Sequence, residues 1–421
     1  MMTSASVPHH RAFARVRCAT VALIACALAA CTGVSTSATP ASAALRFAST
    51  DTVSVDTVAP GIVHYRVRRP TGPFNIQIVT VPARSRYEFV AARALDSLRG
   101  RERVSDMVRR REARGERIRV ALNADFFDLK TGANENNQVV DGVVWKANPV
   151  TDSPYDTFRN SHTQFAVGAN GKPYLERFSY AGALDGSCGR FVLDGVNGVP
   201  RVPNALIFFS AAYANAPRSD SLHTARELPV RASVTRASAG GDLELLPFGS
   251  ARDTPASISD DQAVLAAYGT TSARLDSISR CPSGLRVTHR FVPDRGRLTA
   301  IVGGWPRVVQ DGRNVGGASD SVEGTFPSFS AKRHPRSAIG FSRDSATIYL
   351  VAVDGRQETS DGMTLVELGD FLVSVGVYQG LNFDGGGSTT LVIDGKLANR
   401  PSDAAGERTV GNAILVRERN R

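Results

Sequence analysis

Three consecutive pieces, TIYLVAVDGR (347–356), TLVELGDFLVSVG (364–376) and YQGLNFD (378–384), constrain the fold more than any other stretch of the chain. The first is an apolar strand closing at Asp354-Gly355. Thr364, with Glu367 three positions on, forms a capping box that opens a helix. Leu365, Leu368, Phe371, Leu372 and Val375 then recur at helical spacing, and Gly376 supplies the stop. The last piece is a short strand ending at Asp384. Strand, helix and strand in this compass predict a βαβ unit with parallel strands and a right-handed crossover. Parallel strands bring their carboxyl ends to one edge of a sheet. Asp354 and Asp384 are therefore expected at the same edge, where open α/β sheets bind ligands.

The rest of the chain is richer in strands. Residues 62–92 alternate in short β-rich pieces, 93–116 suit a surface helix, and RIRVALNADFFD (117–128) alternates as a strand does. Residues 297–313 read as a strand, a glycine turn, and a strand ending in the tight Asp311-Gly312 turn. Between 165 and 300 there are short strand-like runs and no long helix, so 196–295 is expected to form a β-rich subdomain inserted in a catalytic domain spanning 59–417. The fold class expected is α+β or mixed α/β: a large mixed β-sheet with flanking helices, the C-terminal βαβ unit, and that insertion.

The amino end is expected to be a targeting segment. Arg11, Arg15 and Arg17 precede an apolar run too short to span a bilayer, and that run ends in Leu28-Ala29-Ala30-Cys31, which resembles the lipobox of bacterial lipoproteins. The expectation is a signal peptide at 1–30, lipidation of Cys31, and a tether over 31–58, giving an exported protein held to a membrane by its lipid alone. The alternative is plain secretion with cleavage after Ala43. Cys188 and Cys281 are then the only mature cysteines left, which in an oxidising compartment favours one disulfide over two separate buried thiols. A formal charge of +10 hints at acidic partners. The arginines are scattered, however, and no nucleic-acid motif appears, so nucleic acid is not expected as a partner. The histidines form no HExxH or HxH, and nothing in the sequence requires a cofactor, a divalent cation being left open.

The stretch LNFDGGGSTTLVIDGK (381–396) sets an acid, three glycines and three hydroxyls side by side. A P-loop needs a lysine after the last glycine and a helix to follow, whereas Gly387 is followed by Ser388, Thr389 and a strand. What remains is a sharp loop beside a carboxylate, able to hold a phosphate or sugar oxygen, or an ordinary turn.

PRSAIGFSRD (335–344), LVAVDGRQETSDGMTLVELGDFL (350–372), LNFDGGGSTTLVIDGKLANRPSD (381–403) and ERTVGNAILV (407–416) together resemble the phosphodiester glycosidase family. ALNADFFD (121–128) and IVGGWPRVVQDGR (301–313) extend the likeness over most of residues 60–417, with Asp125 standing where the family has a small residue. The resemblance implies hydrolysis of a sugar–phosphate diester at the anomeric carbon, with a phosphorylated glycan as substrate. Such chemistry needs carboxylates at the anomeric centre and cations for the phosphate. Asp384 and Asp354 are the catalytic candidates. If their strands are neighbours the carboxylates lie about 5 Å apart, near the spacing in retaining glycosidases. Arg336 and Arg356 are the phosphate candidates. Asn123, Asp125, Asn382, Gly385, Gly386, Gly387, Ser388, Thr389 and Asn412 are candidates for substrate binding. Hydrolysis of ordinary glycosides or polysaccharide, and glycan binding without catalysis, remain alternatives.

Overall fold

The computed structural model describes residues 45–419 apart from 201, 214–215, 220–223, 236–241 and 260. The expected signal peptide, Cys31 and the tether up to residue 44 lie outside the described residues. Among the described residues no helix is long and apolar enough to cross a membrane.

An eight-stranded sheet carries the chemistry-bearing motifs. Its order is Thr52–Ala59, Ile62–Arg69, Phe74–Pro82, Thr347–Val353, Arg336–Phe341, Gln379–Asn382, Arg307–Gln310 and Arg313–Asn314. Every pairing in it is antiparallel, so the expected mixed sheet is corrected. The βαβ expectation is corrected in the same place. Thr347–Val353 and Gln379–Asn382 do run in the same direction, but Arg336–Phe341 lies between them, with Ala338 opposite both Val351 and Asn382. The preceding strand folds back on Thr347–Val353 as a tight hairpin, a shorter loop closure than the helical crossover, and takes the neighbouring place. Thr52–Ala59, of which all but Ala59 was expected within the tether, is an edge strand of this sheet.

The helix Leu365–Ser374 forms as its sequence dictates. Thr364 caps it, accepting from the Glu367 main chain at 3.1 Å, while the Glu367 carboxylate accepts from the Thr364 N–H at 2.9 Å. Leu365, Leu368, Phe371 and Leu372 bury against Ile76, Ile78, Val351 and Val353 on one face of the sheet. The alternate residues Val79, Ile339, Leu350 and Leu381 face the other way. There they meet Phe89, Val120, Leu122 and Ile414 of a five-stranded sheet, and Phe165 and Val302 of another. The period-two pattern thus serves two cores from one sheet.

A second eight-stranded sheet spans Gly182–Gly186 to Leu285–Thr288 in sequence and is antiparallel except for the short Gly195–Val196 pairing with Ala205–Ser210. It buries its own clusters on both faces. Cys188 and Cys281 form a disulfide with a Cα separation of 5.3 Å. The pair joins the turn after Gly182–Gly186 to the approach of Leu285–Thr288.

Candidate active site

Three strands of the first sheet end or begin at one edge. Val353 leads into Asp354, Asn382 leads into Asp384, and Arg336 opens its strand there. The strand Arg117–Asn123 of a five-stranded sheet ends at the same place, with the Asp384 N–H donating to Ala124 O at 2.8 Å. The Asn123 amide donates to Asp384 O at 2.6 Å, and its Oδ1 accepts from Ser337 Oγ at 2.6 Å and from the Thr390 N–H at 3.0 Å. One buried asparagine therefore ties together two strand ends and the glycine loop.

A cavity of about 460 Å³ opens here. Asp384, Arg336, Arg356 and Gly385–Gly387 are in its lining. Phe126, Trp305, Phe326 and Phe329 give it an aromatic wall, with Trp305 stacked on Phe329 at 5.1 Å and met edge-on by Phe126 at 5.6 Å. Gly386 has φ +61°, a conformation glycine takes without strain. At Gly387 a Cβ would fall on the Arg408 guanidinium and the Asp403 carboxylate. These two are joined by paired bonds of 2.7 and 2.9 Å, and Arg408 also lines the cavity.

The charges are uneven. Arg336 is 1% exposed. Its Nε donates to Met363 O at 2.9 Å and an Nη to Phe329 O at 2.7 Å, with the guanidinium over the Phe329 ring. Among the described residues neither Arg336 nor Arg356 forms an ion pair with an acid, in contrast to Arg408. Burial pushes the Arg336 pKa down to about 9, and the neighbouring Arg356 charge adds to the effect. Burial pushes Asp384 up to about 6; Ser388, the Gly385 N–H and Arg408 oppose this, and the Asp125 charge reinforces it.

The remaining sequence candidates stand behind the cavity and shape it. Asp354 does not line it. Its carboxylate accepts from the Arg400 N–H at 3.0 Å and from Asn399 Nδ2 at 3.3 Å, and Asn399 in turn accepts from the Leu391 N–H. It therefore fixes the exit of the glycine loop, and with one strand intervening its strand end lies about 10 Å from that of Asp384, so the expected close pair of carboxylates is corrected. Asn382 is buried and donates to Trp305 O at 2.6 Å, pinning the aromatic wall to the sheet. Asn412 Oδ1 accepts from the Asp125 N–H at 2.8 Å. Asp125 is buried, held by the Asn136 N–H and amide at 3.0 and 2.7 Å, and pushed up to about 6 by that burial. Ser388 and Thr389 are buried beneath the loop.

Sequence reasoning missed the aromatic wall, Arg408, and buried Glu135, whose carboxyl is raised well above the usual range by burial and then by Asp125. The signal was present in the tryptophan after Gly303-Gly304 and in the polar run Asn134-Glu135-Asn136-Asn137 beside an apolar strand. Among the described residues no group of three His, Cys, Asp or Glu side chains is placed to hold a metal ion.

The sequence model of the family described as Phosphodiester glycosidase matches residues 230–417. The SPbeta prophage-derived uncharacterized protein YomE of Bacillus subtilis (strain 168) is 36% identical over 84 residues, 20% of this chain and 13% of that protein. The N-acetylglucosamine-1-phosphodiester alpha-N-acetylglucosaminidase of Bos taurus is 40% identical over 101 residues, 23% of this chain and 19% of its own. The chain thus spans less than a fifth of the length of these curated relatives. A solved structure, a hypothetical protein from Synechocystis, has a TM-score of 0.66 at 22% identity, covering 87% of this chain and 64% of that one, and shows a shared fold. The resemblance of this chain to the phosphodiester glycosidase family is thereby shown.

Proposed function

We propose that the chain is a hydrolase that cleaves the bond between an anomeric carbon and a phosphodiester oxygen. The observation that carries this reading is the buried Arg336 guanidinium, unpaired with any acid among the described residues, in the lining of the cavity that holds Asp384. A buried charge is costly unless compensated, and a guanidinium matches two phosphate oxygens. Arg356 supplies a second cation at the same cavity. The aromatic wall offers a sugar ring an apolar face.

Asp384 acts at the anomeric centre. With its pKa near 6, most molecules at neutral pH carry the carboxylate, which either attacks the sugar or takes a proton from the water that does. The departing group is a phosphate monoester, whose second pKa of about 6 makes it a better leaving group than an alkoxide. One carboxylate then suffices where ordinary glycosides need a second as general acid. Arg336 and Arg356 stabilise the charge that grows on the phosphate as the bond breaks. Asp354, Asn382 and Asn412 act at one remove, by holding the glycine loop, Trp305 and the Asp125 turn.

The disulfide fits an oxidising compartment, so we assign the protein to the exterior of the cytoplasm, with envelope or extracellular glycans as substrates and Cys31 as the lipid anchor. Cys31→Ala should release it from membranes; unchanged partitioning would favour plain secretion. The reaction is tested by giving the protein a sugar 1-phosphodiester and an aryl glycoside of the same sugar. A preference for the diester of roughly 100-fold or more in kcat/KM is expected, since only the diester engages the guanidinium pair. Equal or reversed preference would move the assignment to ordinary glycosides.

A further inference from the structure

The position of Arg356 is built rather than incidental. Its main chain has φ +59°, a region costly for any residue but glycine. The turn that imposes this is closed by Gln357 and Ser360, and Gln357 Nε2 donates to Arg400 O at 2.9 Å. The side chain is exposed and forms no ion pair among the described residues, yet it lies over Gly386, where a Cβ would stand 3.2 Å from one of its nitrogens. Its guanidinium instead meets His334, with an Nη 3.1 Å from His334 Nδ1. The other ring nitrogen, Nε2, is 3.0 Å from Ser328 O. A carbonyl only accepts, so Nε2 carries the hydrogen and Nδ1 presents its lone pair to Arg356. The same tautomer therefore satisfies both contacts.

We infer that His334 is a positioning residue for Arg356, holding its guanidinium over the Gly385–Gly387 turn as the outer arm of the anion subsite whose inner arm is Arg336. The inference rests on the phosphate subsite of the proposed function and adds how that subsite is assembled. The ring is kept neutral by its surroundings. Partial burial is the main cause that lowers its pKa, the Ser328 carbonyl opposes it, and the charges of Arg336, Arg356 and Lys332 add to the lowering. The nearby acids Asp361 and Glu367 are engaged by Arg333, and Asp384 lies in the same cavity lining. Without His334, Arg356 is a long exposed side chain free to sample many rotamers, and an anion must then immobilise it on binding.

The probe is dimethyl phosphate, a diester whose charge is constant across neutral pH, titrated into the full chain and followed by NMR. His334→Ala should weaken binding about tenfold, the value of one hydrogen bond to a charged group. His334→Asn, whose Oδ1 can stand where Nδ1 does, should restore affinity to within about twofold of the wild type, a rescue that the shared acceptor geometry predicts. The double variant His334→Ala/Arg356→Ala should bind no more weakly than Arg356→Ala alone, because the histidine acts only through the arginine. If His334→Ala does not fold by circular dichroism, His334→Ser takes its place. Wild-type affinity in the truncated variant, failure of the asparagine to rescue, or additive losses in the double variant would each overturn the inference. Binding that follows the expected pattern without hydrolysis of any sugar phosphodiester would uphold it and remove the proposed reaction. A wild type that binds no dimethyl phosphate would remove both.

Discussion

Arg336→Met separates a binding arginine from a structural one. Burial lowers the guanidinium pKa to about 9, against an ordinary value above about 12. At about 1.4 kcal/mol per decade, that gap is on the order of 5 kcal/mol favouring the unfolded chain at neutral pH. The folded state binds this proton less tightly than the unfolded one, so the penalty is present in full below about pH 9 and fades only toward the unfolded pKa. Opposing it are bonds to Met363 O at 2.9 Å, Phe329 O at 2.7 Å and Lys332 O at 3.3 Å, with the guanidinium 4.8 Å from the Phe329 ring centre. Each bond contributes about 1–2 kcal/mol and the ring contact about 1 kcal/mol. The two sums nearly cancel. Methionine keeps much of the volume, so urea unfolding should show a change below about 2 kcal/mol in either direction. Removing one partner of a buried ion pair would instead cost roughly 3–5 kcal/mol. Dimethyl phosphate affinity should fall on the order of 100-fold, the loss of a paired contact to a desolvated anion. A stability loss above about 3 kcal/mol with affinity intact would show Arg336 to be structural and not a phosphate ligand.

Three further outcomes follow from the geometry. Asp125 is raised to about 6 by burial, so the folded chain holds its proton more tightly than the unfolded one between about pH 4 and 6; the stability of the wild type relative to Asp125→Asn should therefore fall as pH rises through that window, and a flat difference would contradict it. Cys188→Ser/Cys281→Ser removes a bond closing 93 residues of separation; it should cost about 4–5 kcal/mol by urea unfolding, less any native strain, and leave kcat/KM unchanged. Gly387→Ala drives a methyl into the Arg408–Asp403 pair; displacement by about 1 Å should cost on the order of 100-fold in kcat/KM, and full activity would show that Arg408 has no part in shaping the cavity.

The parts of this site that sequence made legible are those written in consecutive residues. The capping box at Thr364 and Glu367, the strand leading into Asp384 and the glycine loop after it are local patterns with local causes. Strand order is not local. The sequence marks Thr347–Val353 and Gln379–Asn382 as strands, yet it does not state that Arg336–Phe341 will lie between them, and that one insertion separates Asp354 from Asp384. The fate of the Asp354 carboxylate depended on Asn399 and Arg400, some 45 residues downstream. The aromatic wall is assembled from three separate segments at Phe126, Trp305 and Phe326–Phe329, so no single window shows it. Cys188 and Cys281 form the expected bond, and as the two cysteines among the described residues they allow one pairing.

In the proposed reaction Asp384 carries hydrolysis at the anomeric carbon while the guanidinium pair holds the phosphate. Asp384→Asn tests it most directly, since the amide is nearly isosteric and removes only the charge and basicity. This variant should melt no lower than the wild type at pH 7.5, because desolvation makes the partly buried carboxylate it replaces unfavourable there. It should still bind dimethyl phosphate, and it should release no sugar from a sugar 1-phosphodiester that the wild type cleaves. Release at a rate close to that of the wild type, from a folded Asp384→Asn protein, would remove Asp384 from the reaction.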